Sequence, residues 1–187
     1  MSELYDRETT LTLLHEFTAG EGLRRHAYAV EAAMKAAAER TGNDPVYWAA
    51  VGLLHDFDYE KYPEAPDHPL KGAQILRERG YPEEFVRTIL SHASYTEVPR
   101  ENDCARWLFA VDELCGFCMA CAMVQPDKKI AQVKVTSVRK KLKKKDFAAK
   151  VNREDIAEGA ADLGLEPEEV ITHVLEALAP VAEELGL

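Results

Sequence analysis

The chain has 187 residues, 47% of them apolar and 30% charged, with a formal net charge of -10. That is the composition of a globular domain with a real core. No apolar run reaches the ~18 residues a transmembrane helix needs, the acidic start MSELYDRETTLTLLHEF lacks a signal-peptide pattern, and the overall acidity argues against nucleic acid as a partner.

Helical periodicity dominates, and no alternating strand, repeat or low-complexity tract stands out apart from lysines at 140–145. The pattern predicts helices over about Arg7–Ala19 and Glu21–Arg40, the second with Leu23, His26, Val30, Ala33, Met34 and Ala37 on one face. A third helix is expected from Pro45, a good first-turn residue, to Phe57. Tyr59 to Pro66 reads as loop. Asp67 is placed to cap a helix that runs to Arg79 and stops at Gly80. A short helix follows from Pro82 to about His92, then a long apolar one from Cys104 to Val124.

Beyond Pro126 lies a basic segment, read as helical over Lys129–Lys145. Between Asp127 and Arg153 it carries 11 Lys and Arg against 2 Asp, a local +9, while the rest of the chain carries 12 against 31, or -19. Its valines Val133, Val135 and Val138 predict that it packs. Helices over Val151–Leu163 and Glu166–Leu185 close the chain, the latter opened by Glu-Pro-Glu-Glu. The fold class is all-α: one domain over 1–187, with its core at about 20–125 and the segments of 126–187 packed on it.

Polar residues sit on apolar faces of these helices. His26 lies between Leu23 and Val30, His92 follows Phe85 and Ile89, Asp112 follows Ala105 and Leu108, and His55-Asp56 ends the run Val51-Gly52-Leu53-Leu54. A buried unpaired carboxylate costs several kcal/mol. Convergence on one divalent cation would offset that cost for the whole set, and imidazole with carboxylate suits iron, manganese, nickel or zinc. Cys115, Cys118 and Cys121 fall among Leu, Phe, Met and Ala on one helix and read as buried apolar residues rather than as a cluster site.

His26, then His55-Asp56, then Asp112, on helices, resembles the HD superfamily of metal-dependent phosphohydrolases. The likeness spans about Leu23 to Leu114, and the stretch PDKK…VKVTSVRKK resembles predicted hydrolases of that superfamily. The resemblance implies an HD-domain helical bundle with extra C-terminal helices and one or two divalent ions. It implies an enzyme acting on a nucleotide or small phosphorylated metabolite, and the lack of a signal-peptide pattern makes a cytoplasmic setting the expectation. His26, His55, Asp56 and Asp112 would hold the first ion. His68 and His92 match the additional ligands of binuclear members, in which Asp56 would bridge, although His92-Ala93 stands where related phosphodiesterases carry a double histidine. Asp56 and Asp58 are the expected catalytic carboxylates. Lys61, Lys71 and Arg139 are the expected phosphate contacts, Arg139 because its planar fork matches phosphate. A di-iron oxygenase and a non-catalytic binding module are the alternative functions.

Overall fold

The computed structural model describes residues 2–187, and no strand occurs among them. The helices are α1 (Arg7–Phe17), α2 (Glu21–Thr41), α3 (Pro45–Leu54), α4 (Asp67–Glu78), α5 (Glu83–Leu90), α6 (Asp103–Met123), α7 (Val135–Leu142), α8 (Arg153–Leu163), α9 (Pro167–Leu178) and the short α10 (Ala182–Leu185). The all-α expectation holds. The long α2 and α6 pack together at the centre, with α3 against α2, α8 against α6, and α9 touching both. Their shared core includes Val30, Met34, Leu53, Leu54, Phe85, Leu108, Leu114, Phe117, Ile171 and Leu178.

Local chemistry sets the boundaries. Asp44 accepts from Val46 N and Tyr47 N and puts Pro45 in the first turn of α3, and Gly42 ends α2 in the left-handed region at φ 73°. Asn152 caps α8 by accepting from Glu154 N and Asp155 N. Glu166 and Glu169 form a capping box at α9.

Two glycines bring helices into close contact. A Cβ at Gly52 of α3 would lie 2.7 Å from Val30 O of α2, and one at Gly159 of α8 would lie 2.5 Å from Ala110 Cα of α6. Any side chain there would have to displace backbone.

Several boundaries differ from expectation. Helix α3 stops at Leu54, not Phe57, because the His55 side chain reaches back. Its Nδ1–H donates to Gly52 O at 2.7 Å, taking the carbonyl that Asp56 N–H would use in a continuing helix. In α4, His68 has φ -80° and ψ 134°, so regular helix begins at Pro69; a residue before proline is disfavoured in the helical region. Asp67 therefore does not act as the expected cap. The basic segment is not one helix but a 3-10 turn (Ile130–Gln132) and α7. Its valines do pack: Val133 and Val138 are buried, while Lys140 and Lys143 to Lys145 are exposed. The last expected helix is broken after Leu178 by a 3-10 turn over Ala179–Val181.

His173 ties α9 to α2. Its Nε2–H donates to Ala33 O at 2.9 Å and its ring lies 4.7 Å from that of Trp107. Burial, with help from Arg40, holds its pKa below the ordinary value near 6.5, against the pull of the Ala33 carbonyl. The unfolded chain therefore binds the proton more readily, so the stability His173 contributes is present above pH 6.5 and is lost as pH falls below it. Urea unfolding at pH 7.5 and 5.5 should show wild type losing stability relative to His173→Phe at the lower pH.

Candidate metal centre

Six side chains from five segments meet in one place. His26 comes from α2, His55 and Asp56 from the turn after α3, His68 from the start of α4, His92 from just beyond α5, and Asp112 from α6. They form two groups that could hold a metal ion: His26, His55 and Asp112, and Asp56, His68 and His92, each with ligand atoms within 4.8 Å of one another.

In the first group, His26 Nε2 lies 3.2 Å from His55 Nε2 and 3.0 Å from Asp112 Oδ1, and His55 Nε2 lies 3.3 Å from that same oxygen. In the second, Asp56 Oδ1 lies 3.2 Å from both His68 Nε2 and His92 Nε2. The other Asp56 oxygen, Oδ2, is 3.6 Å from His55 Nε2. Asp56 thus faces both groups at once.

The hydrogen bonds fix the tautomers. A carbonyl or carboxylate oxygen can only accept, so the ring nitrogen facing it carries the proton. His55 Nδ1 donates to Gly52 O at 2.7 Å, His92 Nδ1 to Ile89 O at 2.6 Å, and His68 Nδ1 to Asp58 Oδ1 at 2.8 Å. Each neutral ring is left with its Nε2 lone pair aimed at the carboxylates. Metal-ligating histidines are oriented by just such bonds.

Electrostatics agree with a site built around positive charge. Burial works to lower the pKa of His68, but Asp56 and Asp58 outweigh it and push it up to about 9. His55 and His92 are also raised against burial, by Asp56 and Asp112. Asp56 and Asp112 are held well below the usual carboxylate range by the histidines facing them, despite burial. The donor set fits one or two divalent transition metals.

The other expected site residues are placed differently. Asp58 is no loop carboxylate open to accept a proton. It is buried, with Oδ1 taking the His68 proton and Oδ2 accepting from Gly72 N at 2.8 Å. It orients His68. Lys61 Nζ bonds Glu16 O at 3.0 Å and lies 3.9 Å over the Phe17 ring. Lys71 is exposed on α4. Arg139 is paired with Glu168 of α9. None of these three cations lines the cavity over the ligands, so their expected phosphate contacts do not follow from the structure.

That cavity has a volume of about 680 Å³, and its wall includes Tyr59, Tyr95, Phe109, Glu113, Asn152 and Asp155, none of them an expected site residue. Tyr95 Oη donates to His68 O at 2.6 Å and holds the loop after α5 against the site. Burial, then the neighbouring Asp112, pushes Glu113 up to about 7. Glu113 was detectable as the neighbour of Asp112 on one helix, whereas Asn152 and Asp155 arrive only through the α6–α8 contact. The cysteines behave as expected: all four are free and buried, and burial raises their thiol pKa values.

Asp58 also yields a test. A Cβ at Gly72 would lie 2.7 Å from Asp58 Cγ. Both Asp58→Asn and Gly72→Ala should therefore loosen His68 and weaken metal binding at its group by about 10–100-fold, the usual cost of losing such an orienting partner. Metal titration followed by calorimetry would read it, with the His26 group as internal control.

No helix among the described residues is long and apolar enough to cross a membrane. Comparison with curated proteins and with solved structures gave no match. Residues 23–115, about half of the chain, match the family model described as HD domain, and they contain all six converging histidines and aspartates. The chain belongs to the HD domain family.

Proposed function

We propose that this protein is a metal-dependent hydrolase of phosphate esters acting through two divalent ions. The observation that carries this reading is Asp56, whose two oxygens face separate His-rich groups while three of the histidines are locked in the tautomer that offers Nε2. Divalent ions bound in such a pair supply Lewis-acid polarisation of a phosphoryl oxygen and an acidified water. The protein's own part is positional. His26, His55 and Asp112 would hold one ion, and His68 and His92 the other. Asp56 would fix their separation. Asp58, Gly52 and Ile89 keep the rings aligned through their hydrogen bonds. Asp56 faces both groups, which makes it the best candidate to orient the attacking water.

We read residues 126–187 as part of the same domain, because α8 lends wall residues to the cavity and α9 shares its core. A reducing, cytoplasmic setting suits four free cysteines. The same pair of groups would also serve a di-iron oxygenase, and oxygen uptake by iron-loaded protein separates that reading. The decisive experiment is metal analysis of protein purified without chelator, followed by a panel of phosphate mono- and diesters. About two equivalents of metal and hydrolysis abolished by chelation are expected; metal-loaded protein inert towards every ester would overturn the proposal.

A further inference from the structure

The mouth of the metal cavity has an unusual charge for a site that receives phosphate. Among the described residues lining it there is no lysine or arginine, while Glu113 and Asp155 add two carboxylates beyond the proposed ligands. One guanidinium beside the wall is already engaged. Arg100 stacks 3.8 Å over the Phe109 ring, and its nitrogens are engaged by Asp162 and Glu158.

The N-terminus of α8 also borders this mouth, and a free helix N-terminus would welcome an anion. Here two of its donors are already taken. Asn152 Oδ1 accepts from Glu154 N and Asp155 N. No lysine or arginine lines the outer rim to neutralise a second anionic group. The rim is instead two carboxylates with Tyr59 and Tyr95, an arrangement that favours a cation by charge and by ring face.

The placement of this rim rests on close packing. Gly159, one turn after Asp155, meets Ala110, about one turn before Glu113. That contact sets the first turn of α8 over the end of the ligand-bearing face of α6. The segment lies outside the matched residues 23–115.

Building on the phosphohydrolase reading above, we propose that the substrate is a phosphate ester carrying an alkylammonium group, with the phosphate at the metal pair and the ammonium held by Glu113 and Asp155. A nucleoside triphosphate would bring further negative charge against the same two carboxylates and be disfavoured.

The test is calorimetric titration of the full-length manganese-loaded chain with 3-aminopropyl phosphate, 3-hydroxypropyl phosphate and ATP, with turnover of each followed in parallel. The amine should bind roughly tenfold or more tightly than the hydroxyl ester, as expected for a charge-assisted contact, and ATP more weakly still. Asp155→Asn and Glu113→Gln should bring the amine and hydroxyl Kd values together, and Asp155→Glu should restore the gap, which a merely structural role would not do. Equal binding of the amine and hydroxyl esters, tighter binding of ATP, or no binding of either ester would overturn the proposal. A binding preference without turnover of any ester would sink the hydrolase reading and leave the ammonium rim standing. Turnover without preference would do the reverse.

Discussion

Replacing Asp56 with asparagine should empty both metal positions and lower hydrolysis by at least about 10²–10³-fold, the scale on which removing one group that stabilises developing charge acts. The expectation follows from its placement. Oδ1 stands 3.2 Å from the Nε2 atoms of His68 and His92, and Oδ2 stands 3.6 Å from that of His55. Asparagine keeps the size but removes the charge and one acceptor oxygen. By contrast, His92→Ala should spare the group formed by His26, His55 and Asp112, because His92 Nε2 is aimed at Asp56 and supplies no ligand atom to that group. Metal stoichiometry measured on the two variants distinguishes a shared carboxylate from two independent sites. Full metal content in Asp56→Asn would show that it is not shared.

Gly52→Ala should destabilise the fold by about 1–3 kcal/mol and weaken metal binding with it. The added Cβ would lie 2.7 Å from Val30 O and 3.0 Å from Glu31 Cα, so α3 must move off α2. Helix α2 carries His26, and the Gly52 carbonyl holds the His55 ring, so the shift reaches the 3.2 Å approach of their Nε2 atoms. Gly22→Ala on the exposed start of α2 is the control. A Cβ there meets nothing within 4 Å, and the change should stabilise by about 0.5–1 kcal/mol as helix glycine is replaced. Opposite signs in urea unfolding, with loss of metal affinity only at Gly52, would attribute the effect to the helix contact. Unchanged stability in Gly52→Ala would refute the tight packing.

What could be read in the sequence divides along physical lines. Helical period places a side chain on a face, so the inward histidines at 26 and 92 and Asp112 were visible from their apolar neighbours at i-3, i-4 and i-7. Period says nothing about where a helix stops when a side chain competes for its carbonyls, as His55 does at Gly52. Nor does it show that Asp58, two residues beyond Asp56 in what looks like a loop, is buried against Gly72. The valines of the basic segment were correctly expected to pack, but a charge count cannot tell which surface receives the arginine, and Arg139 faces Glu168. The rim was the least legible part. Asn152 and Asp155 lie 40 and more residues beyond Asp112 and reach the cavity only because two small residues, Gly159 and Ala110, let their helices meet.

The bonds from His55 to Gly52 and from His92 to Ile89 would govern how the proposed site takes up a metal. The same proton that helps end each helix also aims each ring, so the ligands are ordered as soon as the chain folds. Immobilising a side chain on binding costs about 0.5–1.5 kcal/mol, and here that entropy is already lost before any ion arrives. A frame set in advance binds tightly, yet it has little freedom to reshape itself around a favoured ion. Discrimination among Mn²⁺, Fe²⁺, Ni²⁺ and Zn²⁺ then falls to how well each ion's size and preferred geometry suit that fixed frame and to what the cell makes available. Among ions that fit, the one found in the purified protein should track the growth medium.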